Sequence, residues 1–392
     1  MSNSVKTPLV RLAKRDAMKP ELVWAIRVGS ILVAFILGMI PLAMAGANPF
    51  QSYGIIVSGS LSKAGYIKQT VKRAIPLLGC ALAIAPCFKM KFWNIGAEGQ
   101  ITMGAIFASA VAIWSGTSVP RPVLLILMML FGIIGGAIWA FIPGFFKAKY
   151  NTNETLFTLM MNYIAIGIVK YLQGGPWEGR PGTQIIPMFP ENARLPNVAG
   201  VYCGWIIVLV MVVLVHIYMN FTKQGYEVSV IGDSINTARY AGMNVGWVMM
   251  RTMLLSGAIS GVVGWMLVSG ANGTLNSDVA GGVGFTSITV AWLSQLNCFA
   301  MIIIAAILAI IGKGSATLQT RLNVPASVAE IISGILLFCM LGCEFFINYK
   351  MTINFKAMGK NIAHFFSKEN FASMGNSIKN IGKKSKAKKE AK

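Results

Sequence analysis

The sequence predicts an all-α fold, a polytopic membrane helix bundle of about ten spans, and three observations predict it. First, 55% of the 392 residues are hydrophobic and 12% are charged, where an ordinary soluble domain carries about 25% charged residues. Mean hydropathy is accordingly +0.64. Second, the charge is missing from long apolar runs, and a run of about eighteen or more such residues can cross a bilayer as a helix. Third, much of the net charge of +21 collects at the two ends of the chain. Lysines crowd the stretch from Lys356 to Lys392, and Lys6, Arg11, Lys14, Arg15 and Lys19 precede the first run. Basic flanks of this kind fix topology and touch anionic lipid, so membrane lipid rather than nucleic acid is the expected partner of both ends.

Taken in order, the apolar runs fall at about 22–46, 72–90, 95–115, 121–146, 155–173, 201–221, 250–271, 285–297, 298–312 and 324–348. The first resembles a signal peptide over Val28 to Ala45, but its basic leader is long and further spans follow, so an uncleaved helix is expected. Segment 50–70 carries Lys63 and Lys68 and is expected to lie along the outer surface. Lys89, Lys91, Lys147, Lys149, Lys223 and Arg239 fall on turns that the positive-inside bias places in the cytoplasm, together with both termini. Lys313 and Arg321 fall outside, against the bias; a re-entrant segment at the eighth or ninth run would remove the conflict. The Pro- and Gly-rich loop at 174–200 faces outward, and the loop at 223–248 is the largest internal connection. The chain thus divides into a basic cytoplasmic segment at 1–21, a transmembrane domain at 22–348 and a basic cytoplasmic tail at 349–392. The tail has little apolar periodicity and reads as amphipathic, then disordered.

Several chemistries lack the residues they need. Cys80, Cys87, Cys203, Cys298, Cys339 and Cys343 form no close CxxC pair, and most lie in apolar runs, where cysteine acts as a small hydrophobe. Only His216 and His364 are present, too few for a His-based triad or zinc site. No GxxxxGK[ST] loop occurs; Gly312-Lys313-Gly314-Ser315 has fragments of one, at a span end rather than after a strand. The chain is therefore expected to bind neither ATP nor a cofactor of its own, and not to be an enzyme.

Two polar breaks interrupt the apolar pattern. In Phe92-Trp93-Asn94-Ile95-Gly96-Ala97-Glu98-Gly99-Gln100, the residues Asn94, Glu98 and Gln100 lie beside two glycines that let a helix unwind. Unwound backbone at membrane depth is tolerated where it lines a cavity or is buried in protein, and a charge there usually faces a cavity or a partner. These three residues are candidates for a substrate pathway. The plainer reading makes Glu98 an interfacial charge beside Lys89 and Lys91. The second break runs from Gly270 to Phe285 and supplies Asn276 as a further pathway candidate; an ordinary external loop explains it almost as well. It follows a helix whose small residues Ser256, Gly257, Ser260, Gly261 and Gly264 suit close packing.

FWNIGAEGQ after RAIPLLGCALAIAPCFKMK resembles the permeases of nucleoside-type bacterial ABC importers, which work with a basic-membrane-protein-type binding lipoprotein. NETL leading to LMMNYIA, then PENARLP, then GYE leading to ARYAGM follow in the same order, and the likeness runs from about residue 70 to 345. The resemblance implies a fold shared with branched-chain amino acid and ribose permeases, and a role as the permease subunit that carries nucleosides or similar small polar solutes. It also implies a second permease subunit, an external lipoprotein, and an ABC ATPase subunit that holds ATP and Mg. The loop at 223–247 would dock on that ATPase, with Gly225, Glu227, Arg239, Tyr240, Ala241 and Gly242 as the coupling residues and Gly242 ending a helix. The sequence departs from the family at Ser234-Ile235-Asn236-Thr237, usually more acidic and alanine-rich. Branched-chain amino acids or sugars are the alternative cargo. An ion-coupled transporter would need a chain of buried acids, for which Glu98 and Glu330 alone come forward.

Overall fold

The computed structural model describes residues 10–15, 18–325 and 327–353. The chain forms two compact units, residues 1–33 with 339–392, and residues 34–338. In the first unit, strand β1 (Val10–Lys14) pairs antiparallel with β4 (Tyr349–Ile353), in register from Val10 opposite Ile353 to Lys14 opposite Tyr349. This ribbon places 349–353 in a strand, where an amphipathic start to the basic tail was expected. Val10 in β1 and Tyr349, Thr352 and Ile353 in β4 are β-branched or aromatic residues that favour extended backbone. The expected disorder of the tail falls on 354–392, outside the described residues.

Thirteen helices are described: α1 (Pro20–Met44), α2 (Pro49–Leu61), α3 (Ala64–Lys89), α4 (Ala97–Ser115), α5 (Arg121–Tyr150), α6 (Glu154–Gln173), α7 (Gly204–Phe221), α8 (Lys223–Asp233), α9 (Ile235–Tyr240), α10 (Val245–Met266), α11 (Val283–Leu293), α12 (Cys298–Leu322) and α13 (Ser327–Asn348). Many start where a short polar side chain can take an orphan backbone donor. Asn48, Asn153, Thr222, Asn244 and Asn297 cap α2, α6, α8, α10 and α12 in this way. Seven of the described helices are long and apolar enough to cross a membrane. α5 shows the reason such a helix needs lipid: Val123, Ile126, Leu130, Ile134, Ile138 and Phe141 form an exposed stripe, while Leu124, Met128 and Ala140 are buried.

The helices differ from the expected runs in three places. The run at 285–297 is α11, whose eleven residues span roughly 16 Å, about half a bilayer. The run at 298–312 continues to Leu322, so Lys313 and Arg321 lie within α12 rather than in a loop beyond it. Gly314 does not stop the helix because it packs against Ile56 of α2. Segment 50–70 is no surface strip: it is α2 and the start of α3, with Ser52, Ile56, Gly59 and Ser60 buried. Lys63 and Lys68, which argued for the surface, are exposed, but the hydroxyls of Ser60 and Thr70 are answered internally. Ser60 Oγ lies 2.8 Å from both Ile56 O and Ile310 O, and Thr70 Oγ1 lies 3.1 Å from Ser60 O.

At the centre α4, α5 and α10 meet along Gly104, Gly132, Gly136, Gly257 and Gly261, where a Cβ would strike backbone of the neighbouring helix. Small residues of this kind let helix backbones touch in a membrane. At one end of the bundle, loop 174–200 closes over the helix ends: Phe189 N donates to Gly273 O (2.9 Å), Leu195 N to Ser269 O (2.9 Å) and Asn192 Nδ2 to Val119 O (3.0 Å). Its hairpin of β2 (Asn197–Val198) and β3 (Val201–Tyr202) turns through Ala199 and Gly200, both at positive φ (56° and 80°). That is the backbone a two-residue hairpin turn requires.

Candidate functional site

Between α3 and α4 the chain leaves the helical path, and Lys91 takes φ 59° at the exit. Backbone polar groups freed inside a membrane protein must find partners in the protein. Here they find side chains. Asn94 is fully buried, and its Oδ1 accepts from Gly96 N (3.0 Å) and from Gln100 Nε2 (3.2 Å). Its Nδ2 donates to Ser256 Oγ on α10 (3.1 Å), and Ser260 Oγ donates to Gln100 Oε1 (3.3 Å). From α6, Asn162 accepts from Gly99 N (2.8 Å) and donates to Ile95 O (2.9 Å), and Thr158 Oγ1 accepts from Ile95 N (3.2 Å).

Glu98 sits on the first turn of α4 and is 5% exposed. Its carboxylate reaches across to the second break: Oε1 accepts from Gly282 N (2.8 Å) and Oε2 from Gly284 N (2.6 Å). It therefore caps α11 from another helix, and the interfacial-charge reading of the sequence is set aside. The capped residue Gly282 has φ 75°, and a Cβ on Gly284 would collide with the Glu98 backbone, so glycine is required at both places. The second break is longer than the first. It begins as a π-helical turn, Leu267–Asn272, and then runs irregularly to α11. Asn276 lies in this stretch, with Oδ1 buried and without a hydrogen-bond partner.

The structure thus joins Asn94 and Gln100 in one network and sets Glu98 between the two breaks. No hydrogen bond among the described residues links Asn276 to the other three. Asn162, Thr158, Ser256 and Ser260 complete the network and were not singled out as site residues from sequence. Ser256 and Ser260 offered a signal, since polar groups four apart in an apolar run share one helix face.

The loop at 223–248 folds as α8 and α9 with Ser234 at the corner. Ser234 Oγ accepts from Thr237 N (3.3 Å), so the departure from the family pattern supplies a helix cap. Val228, Ile231 and Ala238 bury themselves with Cys87, Met90, Phe92, Val245, Val248 and Met253. The six expected coupling residues divide into two groups. Gly225 is buried against the carbonyls of Tyr218 and Met219, and Glu227 accepts from Arg251 Nη2 of α10 at 3.0 Å. Arg239, Tyr240, Ala241 and Gly242 form an exposed knob, Tyr240 being 93% exposed. Gly242, at φ 74°, donates to Arg239 O (3.0 Å) and turns the chain out of α9.

Among proteins of known description, the chain is 29% identical to a glucose ABC transporter permease protein of Haloferax volcanii, over 90% of this chain and 96% of that one. It is 28% identical to a guanosine ABC transporter permease protein of Bacillus subtilis, over 78% of this chain and 90% of that one. It is 25% identical to a nucleoside ABC transporter permease protein of Lactococcus lactis, over 79% and 88%. No solved structure matches. With residues 66–341 matched by the model of branched-chain amino acid transport system permease components, the chain belongs to that family and is an integral membrane transport component.

Proposed function

We propose that this chain is the permease subunit of an ATP-driven importer and forms the translocation pathway for nucleosides or similar small polar solutes. Two matches, to the guanosine and nucleoside permeases over 78% and 79% of this chain, carry the reading. The longer match to a glucose permease, over 90% of this chain, supports a second cargo, a sugar. In this reading both termini, Lys89, Lys147 and the knob at Arg239–Gly242 face the cytoplasm. A separate ATPase subunit binds ATP and Mg and docks on that knob, a second permease subunit completes the pathway, and a binding lipoprotein delivers solute from outside. Membrane lipid surrounds the apolar stripes and meets the basic ends. Asn94, Glu98 and Gln100 hold the pathway wall in shape, and Asn276, on the second break, is a further pathway residue.

Two measurements test this. In vesicles holding the whole complex, labelled guanosine is taken up with ATP, and unlabelled guanosine competes better than glucose; uptake of neither removes the reading. Ala241→Glu places a bulky acid on the knob. It leaves the chain inserted, while ATPase recovery on purification and uptake both fall at least tenfold. Normal recovery with normal uptake removes the knob from coupling.

A further inference from the structure

Beside Gly282, which the Glu98 carboxylate holds, lies a cleft of 540 Å³, walled by α3, α11, α12 and α13. Its volume falls within the roughly 300–1,000 Å³ of small-molecule sites. Arg73, Gln319 and Glu330 line it and are exposed, although each belongs to a helix of apolar composition. Arg73 lies flat over Gly312, whose missing side chain leaves room for the guanidinium: a Cβ there would stand 2.7 Å from Arg73 Nε. No ion pair among the described residues takes up Arg73 or Glu330. A cation, an amide and an acid facing hydrocarbon together are expensive, and such residues in membrane proteins face water or a partner. Thr286, Thr289 and Phe285, which is 43% exposed, line the same cleft.

We infer that this cleft is the water-filled subsite through which the solute passes, and that it takes a neutral, flat, hydrogen-bonding solute of the nucleoside class. The inference rests on the permease reading. One cation and one anion leave the lining without net charge, which disfavours ionic solutes. Phe285 offers a face for a heterocycle, as aromatic rings do for flat partners. Gln319 presents both a donor and an acceptor, the pattern that a base edge or ribose hydroxyl answers. Glu98 is a positioning residue here: it touches no solute and holds Gly282, and so the wall.

The test uses the assembled complex in vesicles, with Thr286→Cys reacted with a charged, membrane-impermeant thiol reagent and the modified site read by mass spectrometry. Residue 286 reacts, and guanosine slows the reaction at least fivefold while glucose slows it less than twofold. In a separate variant, Phe285→Ala raises KM for guanosine about tenfold with kcat little changed. An unreactive residue 286 means a dry cleft, covered by lipid or protein, and overturns the inference. So does reaction that guanosine leaves unslowed in a complex that transports guanosine, or an unchanged KM in Phe285→Ala. If the unaltered complex carries no guanosine, the permease reading for nucleosides falls by that result alone. Reactivity at residue 286 then still decides whether the cleft is wet.

Discussion

The two breaks solve the same problem by different means. At the first, the backbone groups Ile95 N, Ile95 O, Gly96 N and Gly99 N are answered by the side chains of Asn94, Thr158 and Asn162, and Gln100, Ser256 and Ser260 join the same network. At the second, the start of α11 hangs on one residue, the carboxylate of Glu98. A network with several members tolerates a loss, because neighbours still hold the backbone. A single acceptor for two buried donors does not. Redundancy therefore marks the first break as fixed scaffold and the second as the joint at which one interaction controls the geometry.

Four substitutions sharpen or break this contrast, each read as the thermal unfolding midpoint in detergent together with uptake. Glu98→Ala has the largest effect. It strands two buried backbone donors at about 1–3 kcal/mol each, so a loss of about 2–5 kcal/mol is expected, with uptake gone. Glu98→Gln keeps one acceptor oxygen and loses about half as much. Asn162→Ala comes next, at about 1–3 kcal/mol, because Thr158 and Asn94 still hold the same backbone. Ser260→Ala is smallest, at or below about 0.5 kcal/mol, since the buried side chain of Gln100 keeps its bond to Asn94. A Glu98→Ala midpoint shift no larger than that of Ser260→Ala would erase the distinction between the breaks.

Which parts of this were legible in the sequence follows from physics that is local or not. Apolar runs are local, so the long helices were read within a few residues, as with α4 and α6. Whether a run crosses the membrane is not local. α11 is a half-span that starts after Gly282, and only the contacts of Gly282 and Gly284 with Glu98 show how its start is held. Segment 50–61 was misplaced for a similar reason: Ser60 counts as polar in a sequence, and one of its two partners, Ile310 O, lies 250 residues away in α12. The importance of Asn94, Glu98 and Gln100 was visible because polar residues beside glycines in an apolar run need explanation. The direction in which each points was not. Nor was the division of the coupling loop, since Glu227 and Arg239 look alike as exposed charges until Arg251 claims the first.

The glycine seam among α4, α5 and α10 has a consequence for motion. Where side chains interdigitate, two helices can slide by exchanging rotamers. Here carbonyls and Cα atoms of Gly132, Gly136, Gly257 and Gly261 meet directly, and there are no rotamers to exchange. Three helices welded in this way turn as a single lever. When such a transporter changes the side to which it opens, the bending falls on the looser contact of α11 with α4, which is where the Glu98 joint lies.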